Sequence, residues 1–240
     1  MCIFSGKAEV SKTKIFARAG KDGLQYLAYA MTVKAESELA MILPLPVAKD
    51  TKKIDFINLE KYEDFFVELG KGWPPTRGGG NSKGPKDDGK LDVVEVGSFI
   101  ASYVPSQKDF AKLDEKFVLP AATWDKLPQY KEYGFAVFQL KKGAKTIHPM
   151  ALSFPRLDAK KIFFPTVHIH DGKVEEKGDF DHTLYCQAVN GESVLEWSES
   201  TQPAELFMAK LDKAGGLIDG KEHAYRKVLT GKLKNEDTWL

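Results

Sequence analysis

The sequence predicts a β-rich α+β fold of mainly antiparallel, sandwich-like sheets with a few short helices. Three observations carry that expectation. Short apolar runs with a period of two dominate the chain, as half-buried strands require. Turn residues separate them at short intervals. Only one stretch, 58–70, has a clear helical stripe. At 240 residues the chain is long for one domain, yet all-β units often reach this size. We therefore expect a single globular domain over 1–240.

Taken in order, Ala8–Arg18 and Leu24–Val33 read as a hairpin turned at Gly20–Gly23. Leu39–Leu43 is a third strand. It runs into Pro44-Leu45-Pro46-Val47, where two prolines cannot donate to a ladder, so this piece should leave the sheet or lie at an edge. Asn58 can cap a helix whose stripe is Leu59, Tyr62, Phe66 and Leu69, with Gly70 ending it. Gly, Ser, Lys and Asp then fill 76–90, the predicted flexible loop. Its Gly78-Gly79-Gly80 lacks the spacing and Lys-Ser/Thr ending of a P-loop. Strands resume at 92–104, short helices are expected near 108–114 and 121–130, and four strands follow at 135–141, 146–154, 161–170 and 180–189. The tail reads as helical, most strongly over 202–213.

Charges balance, 35 basic against 34 acidic. That argues against a dominant basic face for nucleic acid and against a charge-expanded chain. No run approaches the roughly 18 apolar residues of a membrane span. The opening Met1–Lys7 lacks the basic and apolar regions of a signal peptide. The expectation is a cytoplasmic protein that engages neither nucleic acid nor membrane. Its partner should be a small-molecule substrate or a metal ion.

Two places could carry chemistry. The first is the group His168, His170, His182 and Cys186. Residues two apart on a strand share a face, so His168 and His170 project together. If 161–170 pairs with 180–189 so that His170 faces Phe180, His168 faces His182, and Cys186 lies on the same face farther along. A register shift of one residue would separate them. Imidazole and thiolate donors suit copper or zinc. The competing reading is of ordinary strand histidines bonded to Asp171, Asp179 or Asp181. The second place is Cys2. Loss of Met1 would leave its thiol beside a free α-amine, either as a nucleophile with an internal base or as a fifth metal ligand. The leading expectation is thus a metal-binding protein, a redox enzyme if copper is bound or a hydrolase if zinc. An N-terminal-nucleophile amide hydrolase using Cys2 and a non-catalytic binding domain are the alternatives. His148 reads as a buried strand histidine, and Trp73, Trp124, Trp197 and Trp239 as core or surface anchors.

Some motifs carry a resemblance. Cys2, the strand running into Met41–Val47, Phe65-Phe66, the return strand 93–103, Asp109–Leu127 with Tyr130, 135–141 and 148–154 follow one another in a familiar order. Over residues 2–155 this resembles the bacterial family catalogued as domain of unknown function 2330. The resemblance implies a fold and no activity, since the family has none established. The chain departs from it in lacking a leader and in placing Cys2 at its very start. The opening is also similar to hydrolases that begin Met-Cys-Gly-Ile, although Ile3 stands here in place of the glycine.

Overall fold

The computed structural model describes residues 3–74, 100–140, 142–170, 172–188 and 193–240. The predicted loop at 76–90 and the first part of the strand expected at 92–104 lie outside them. Among the described residues the strands are β1 (Ile3–Phe4), β2 (Ala8–Ala19), β3 (Leu24–Ala35), β4 (Leu39–Leu45), β5 (Asp55–Ile57), β6 (Ile100–Val104) and β7 (Gly134–Leu140). They continue with β8 (Gly143–Pro155), β9 (Phe163–Phe164), β10 (Lys177–Gln187), β11 (Ser198–Glu199), β12 (Ala224–Lys234) and β13 (Thr238–Trp239). One sheet has the order β1-β4-β7-β6 and the other β11-β12-β10-β2-β3-β8-β5, with β13-β9 as a separate pair. The β-rich α+β expectation holds: the ladders are antiparallel except for β10 on β2.

The two larger sheets face each other across the main core. Alternate residues such as Ile15 and Ala17, Leu27 and Tyr29, Met41 and Leu43, Phe138, Leu152 and Leu184 fill it. The outer face of the seven-stranded sheet is covered by α1 (Phe65–Gly70) and turns of the C-terminal region, through Phe65, Phe66, Leu69, Tyr185, Met208 and Leu217. The outer face of the four-stranded sheet is covered by short helical turns and by Val167 and Ile169, which meet Phe110, Leu127 and Phe135.

Bulges reconcile this core with the sequence. The β2/β3 register shifts between Ser11 and Lys14, so even-numbered Ala8 and odd-numbered Ile15 both reach the same core. Lys12 takes φ +55° there, and its N–H donates to the Asp181 carboxylate at 2.6 Å. A second shift falls between Tyr29↔Met150 and Met31↔Ile147. Pro149 sits inside it, where a residue without an N–H costs the ladder least.

Several expectations are corrected. Of the two alternatives for Pro44-Leu45-Pro46-Val47, departure from the sheet does not occur at Pro44, which pairs with Phe135. Among the described residues β1 reaches only Ile42 and Met41, so the one described ladder partner of Pro44 is Phe135. The helix over 58–70 is split into a 3₁₀ turn at Glu60–Tyr62 and α1. Glu68 explains the tight packing of this region: its carboxylate accepts from Tyr62 Oη at 2.7 Å and from the Ala209 N–H at 2.7 Å. The helices near 108–114 and 121–130 shrink to a 3₁₀ turn, Gln107–Lys112, and to α2 (Ala121–Trp124) followed by the turn Pro128–Tyr130. The tail holds short turns in place of a helix, and β12 is a long strand that apolar periodicity did not reveal. Its outer half is exposed, so tertiary pairing with β10 decides its conformation.

Gly134 opens β7 beneath the ring of Tyr103, whose Oη would lie 2.5 Å from an added Cβ. The same hydroxyl donates to the Thr51 carbonyl. Gly134→Ala is expected to lower stability by about 1–3 kcal/mol through overpacking. The fall would appear as a reduced urea midpoint at unchanged slope.

Candidate functional site

The histidine group is assembled by three chain segments that the sequence reading did not pair. β10 lies between β12 and β2, and 161–170 does not form its hairpin partner. Only Phe163–Phe164 of that stretch is a strand. The rest is pinned from two sides. On one side, Ile3 bridges Ile169, the Phe4 N–H donates to the Ile169 carbonyl at 2.8 Å, and the Ala8 N–H donates to that of His170 at 3.1 Å. On the other side stands the segment 235–237. Asn235 accepts from the His168 N–H at 2.6 Å and donates to its carbonyl at 2.9 Å. The Asp237 carboxylate accepts from Thr166 N–H, Val167 N–H and Tyr130 Oη at 2.9, 3.1 and 2.5 Å.

This clamp lays the three imidazoles together despite the missing hairpin. The His168 ring stands 5.4 Å from His170, 4.8 Å from His182 and 4.3 Å from Phe180. Phe4 meets His170 edge-on at 5.7 Å. Gly178 makes room, since a Cβ there would sit 3.1 Å from the His168 ring. His168 is 9% exposed and His182 fully buried. Burial and the neighbouring imidazoles hold both far below the usual histidine range, His168 at about 2. They are neutral at physiological pH. Among the described residues the His168 Nε2 has no hydrogen-bond partner.

The rings are stacked or tilted, at interplanar angles of 29° and 35°, as packed aromatic side chains are. Among the described residues no group of three His, Cys, Asp or Glu side chains is placed to hold a metal ion. Cys186 is four residues from His182, about 13 Å along a strand. It lies in the main core, where burial raises its thiol pKa far above the usual range. Its side chain packs there among Leu184, Ile15 and Ala17 in the same core. Cys2 and Asp171 lie outside the described residues. His148 belongs to β8. The fifth histidine, His223, has its Nδ1 2.9 Å from the Ser200 carbonyl.

A second locus surrounds the point where the chain leaves α1. Trp73 Nε1 donates to the Ser198 carbonyl at 3.0 Å, its ring packs 5.6 Å from Tyr185, and the Arg226 guanidinium lies over it at 4.9 Å. The Gly72 carbonyl accepts from the Thr201 N–H at 2.9 Å and from its hydroxyl at 3.3 Å. From here the chain enters 75–99, whose sequence contains Asp87-Asp88-Gly89, and it returns at β6. The sequence marks 76–90 as a flexible loop that a non-catalytic binding domain could use to hold a partner, argues against a phosphate cradle there, and marks Trp73 as a core or surface anchor. The fixed exit was invisible to it, because Arg226 and Ser198 are more than 120 residues away.

The architecture is that of a two-sheet β protein with covered outer faces. Known structures share it over the full chain: that of baculovirus P35 matches with a TM-score of 0.56 at 11% identity, covering 100% of this chain and 99% of that one. A mutated baculovirus P35 after caspase cleavage matches with a TM-score of 0.51 at 13% identity, covering 96% and 99%. At such identities the likeness is one of fold. No family model matches the chain, and no curated protein matches it. The resemblance to the family of unknown function therefore rests on the Leu-Pro-Leu-Pro element and its neighbours alone. No helix of the described residues is long and apolar enough to cross a membrane.

Proposed function

We propose that this chain is a protein-binding domain that presents an aspartate-containing segment to a caspase-type cysteine protease and thereby inhibits it. The observation that carries this reading is the full-length likeness to P35, one form of which was solved after caspase cleavage. The sequence supplies a matching element. Caspases cut after aspartate, and Asp87-Asp88-Gly89 lies in the segment between α1 and β6. A small residue after Asp88 leaves the scissile carbonyl open to attack. The partner is then a protein, in place of the expected small molecule or metal ion. The expected copper or zinc ligands, and Cys2 as nucleophile, gain no support from the described residues.

Incubation with active caspases tests this. Loss of protease activity near one-to-one stoichiometry is expected, with mass spectrometry placing a single cut after Asp87 or Asp88. An Asp87→Ala/Asp88→Ala double variant should lose both effects. Full caspase activity at a hundredfold excess of the chain, with no cut, would overturn the reading.

A further inference from the structure

We propose that Asn235 and Asp237 form a latch on the segment 165–170 and, through it, on β1, so that this segment and β1 open together as one unit while the rest of the sandwich stays closed. The hold depends on two side chains. In a sheet, the N–H groups of a strand are taken up by the carbonyls of its neighbour. Here the Asp237 carboxylate accepts from the Thr166 and Val167 N–H groups, and Asn235 accepts from that of His168 at 2.6 Å and donates to its carbonyl at 2.9 Å. The Thr166 hydroxyl adds a bond to the Glu236 carbonyl at 2.8 Å. The latch itself stands on fixed ground. β12 pairs with β10 up to Lys234, and beyond the latch Leu240 and Ile162 exchange backbone bonds at 2.9 and 2.8 Å.

The latched segment is what β1 leans on. Ile3 bridges Ile169, and the Phe4 and Ala8 N–H groups donate to the carbonyls of Ile169 and His170. β1 has two residues, and its ladder with β4 is two pairs long, far below the usual strand length. Ile3, Val167 and Ile169 also share one apolar layer with Phe110, Leu127 and Phe135. Contacts shared in this way are made and lost as a unit. The unit ends at Phe163, whose backbone Gln25 of β3 holds by two buried bonds of 2.7 and 2.9 Å. Packing of the His168 ring on Phe180 and His182 works against opening, so the closed form dominates and the open form is a minor state. Opening uncovers the apolar layer over the four-stranded sheet, a surface that the closed fold hides.

Native-state hydrogen exchange of the full chain in low urea tests this. In wild type the amides of Phe4, Ala8, Val167 and His168 should share one opening free energy and one urea slope, both below those of Ile15 and Phe138 in the main core. Asn235→Ala should speed exchange at all four by a common factor of at least tenfold, although the bonds of Phe4 and Ala8 go to Ile169 and His170. Ile3→Ala should do the same to Val167 and His168 from the other side. Should Asn235→Ala fail to fold, Asp237→Asn and the wild-type slopes still decide. Unchanged exchange at Phe4 and Ala8 in the latch variants overturns the inference, since β1 then frays alone. A single slope for all six amides overturns it as well, since global unfolding is then the one route by which they open.

Discussion

Asp237→Ala should lower stability by about 2–4 kcal/mol, as three hydrogen bonds to one partly buried carboxylate are lost together. The half-buried Asp237 carboxylate serves three donors: Tyr130 Oη and the N–H groups of Thr166 and Val167. Alanine leaves all three without their acceptor in a partly buried site, and each such group carries a desolvation cost. Asp237→Asn keeps one oxygen for the two backbone donors and should cost about half as much. Urea unfolding measures the loss. Hydrogen exchange locates it, with protection falling first at Thr166 and Val167. A change below 1 kcal/mol for the alanine variant would show that water takes over the role of the carboxylate.

Acid should destabilise the fold well before ordinary carboxylates titrate. His168 and His182 are held neutral, far below the 6.5 of an unfolded histidine, chiefly by burial. Below pH 6.5 the unfolded chain therefore binds protons that the folded chain refuses. Stability present above that pH is lost as pH falls, by about 1.4 kcal/mol per unit for each ring. At pH 5.5 the two rings together cost roughly 2–3 kcal/mol. Asp237 works in the opposite direction. Burial pushes its carboxyl up to about 6 despite its hydrogen bonds, so the folded state takes up that proton first. At pH 5.5 this returns less than about 1 kcal/mol. The net expectation is a loss of about 2 kcal/mol between pH 7.5 and 5.5, read from urea midpoints across the range. His182→Leu should flatten the slope by about half. A midpoint that stays constant down to pH 5 would mean that the rings are already solvated in the folded state.

The sequence made the fold class legible because period-two patterning reports directly which face of a strand is buried. The β2–β3 hairpin, β4, β7 and β10 all follow from it. β12 escaped because its outer half carries Thr230, Lys232 and Lys234, and nothing in such a pattern records pairing with β10. The helix at 58–70 was overextended because its stripe of Leu59, Tyr62, Phe66 and Leu69 is also satisfied by a 3₁₀ turn followed by a short helix. At the candidate sites, the convergence of His168, His170 and His182 was legible as parity, while its cause was not. The hairpin proposed for it does not exist. Asn235 and Asp237 hold His168 in place from about 70 residues away. Trp73 could be seen only as an aromatic anchor until the fold brought Arg226 above it.

The parallel seating of β10 on β2 also governs how the chain assembles. β2, β3 and β8 can pair as soon as residue 155 is available, but β2 then presents an open edge. Its neighbour Leu184 lies 169 positions downstream of Ile15. Contacts of that span close slowly, because loop entropy is lost before the pairing rewards it. During synthesis at about 5–20 residues per second, the edge along Lys14–Ala17 waits several seconds for its strand. Lys12 and Lys14 occupy that edge, and lysines disfavour pairing with stray chains. The first two thirds of the nascent chain thus carry their own protection against aggregation until the last third arrives.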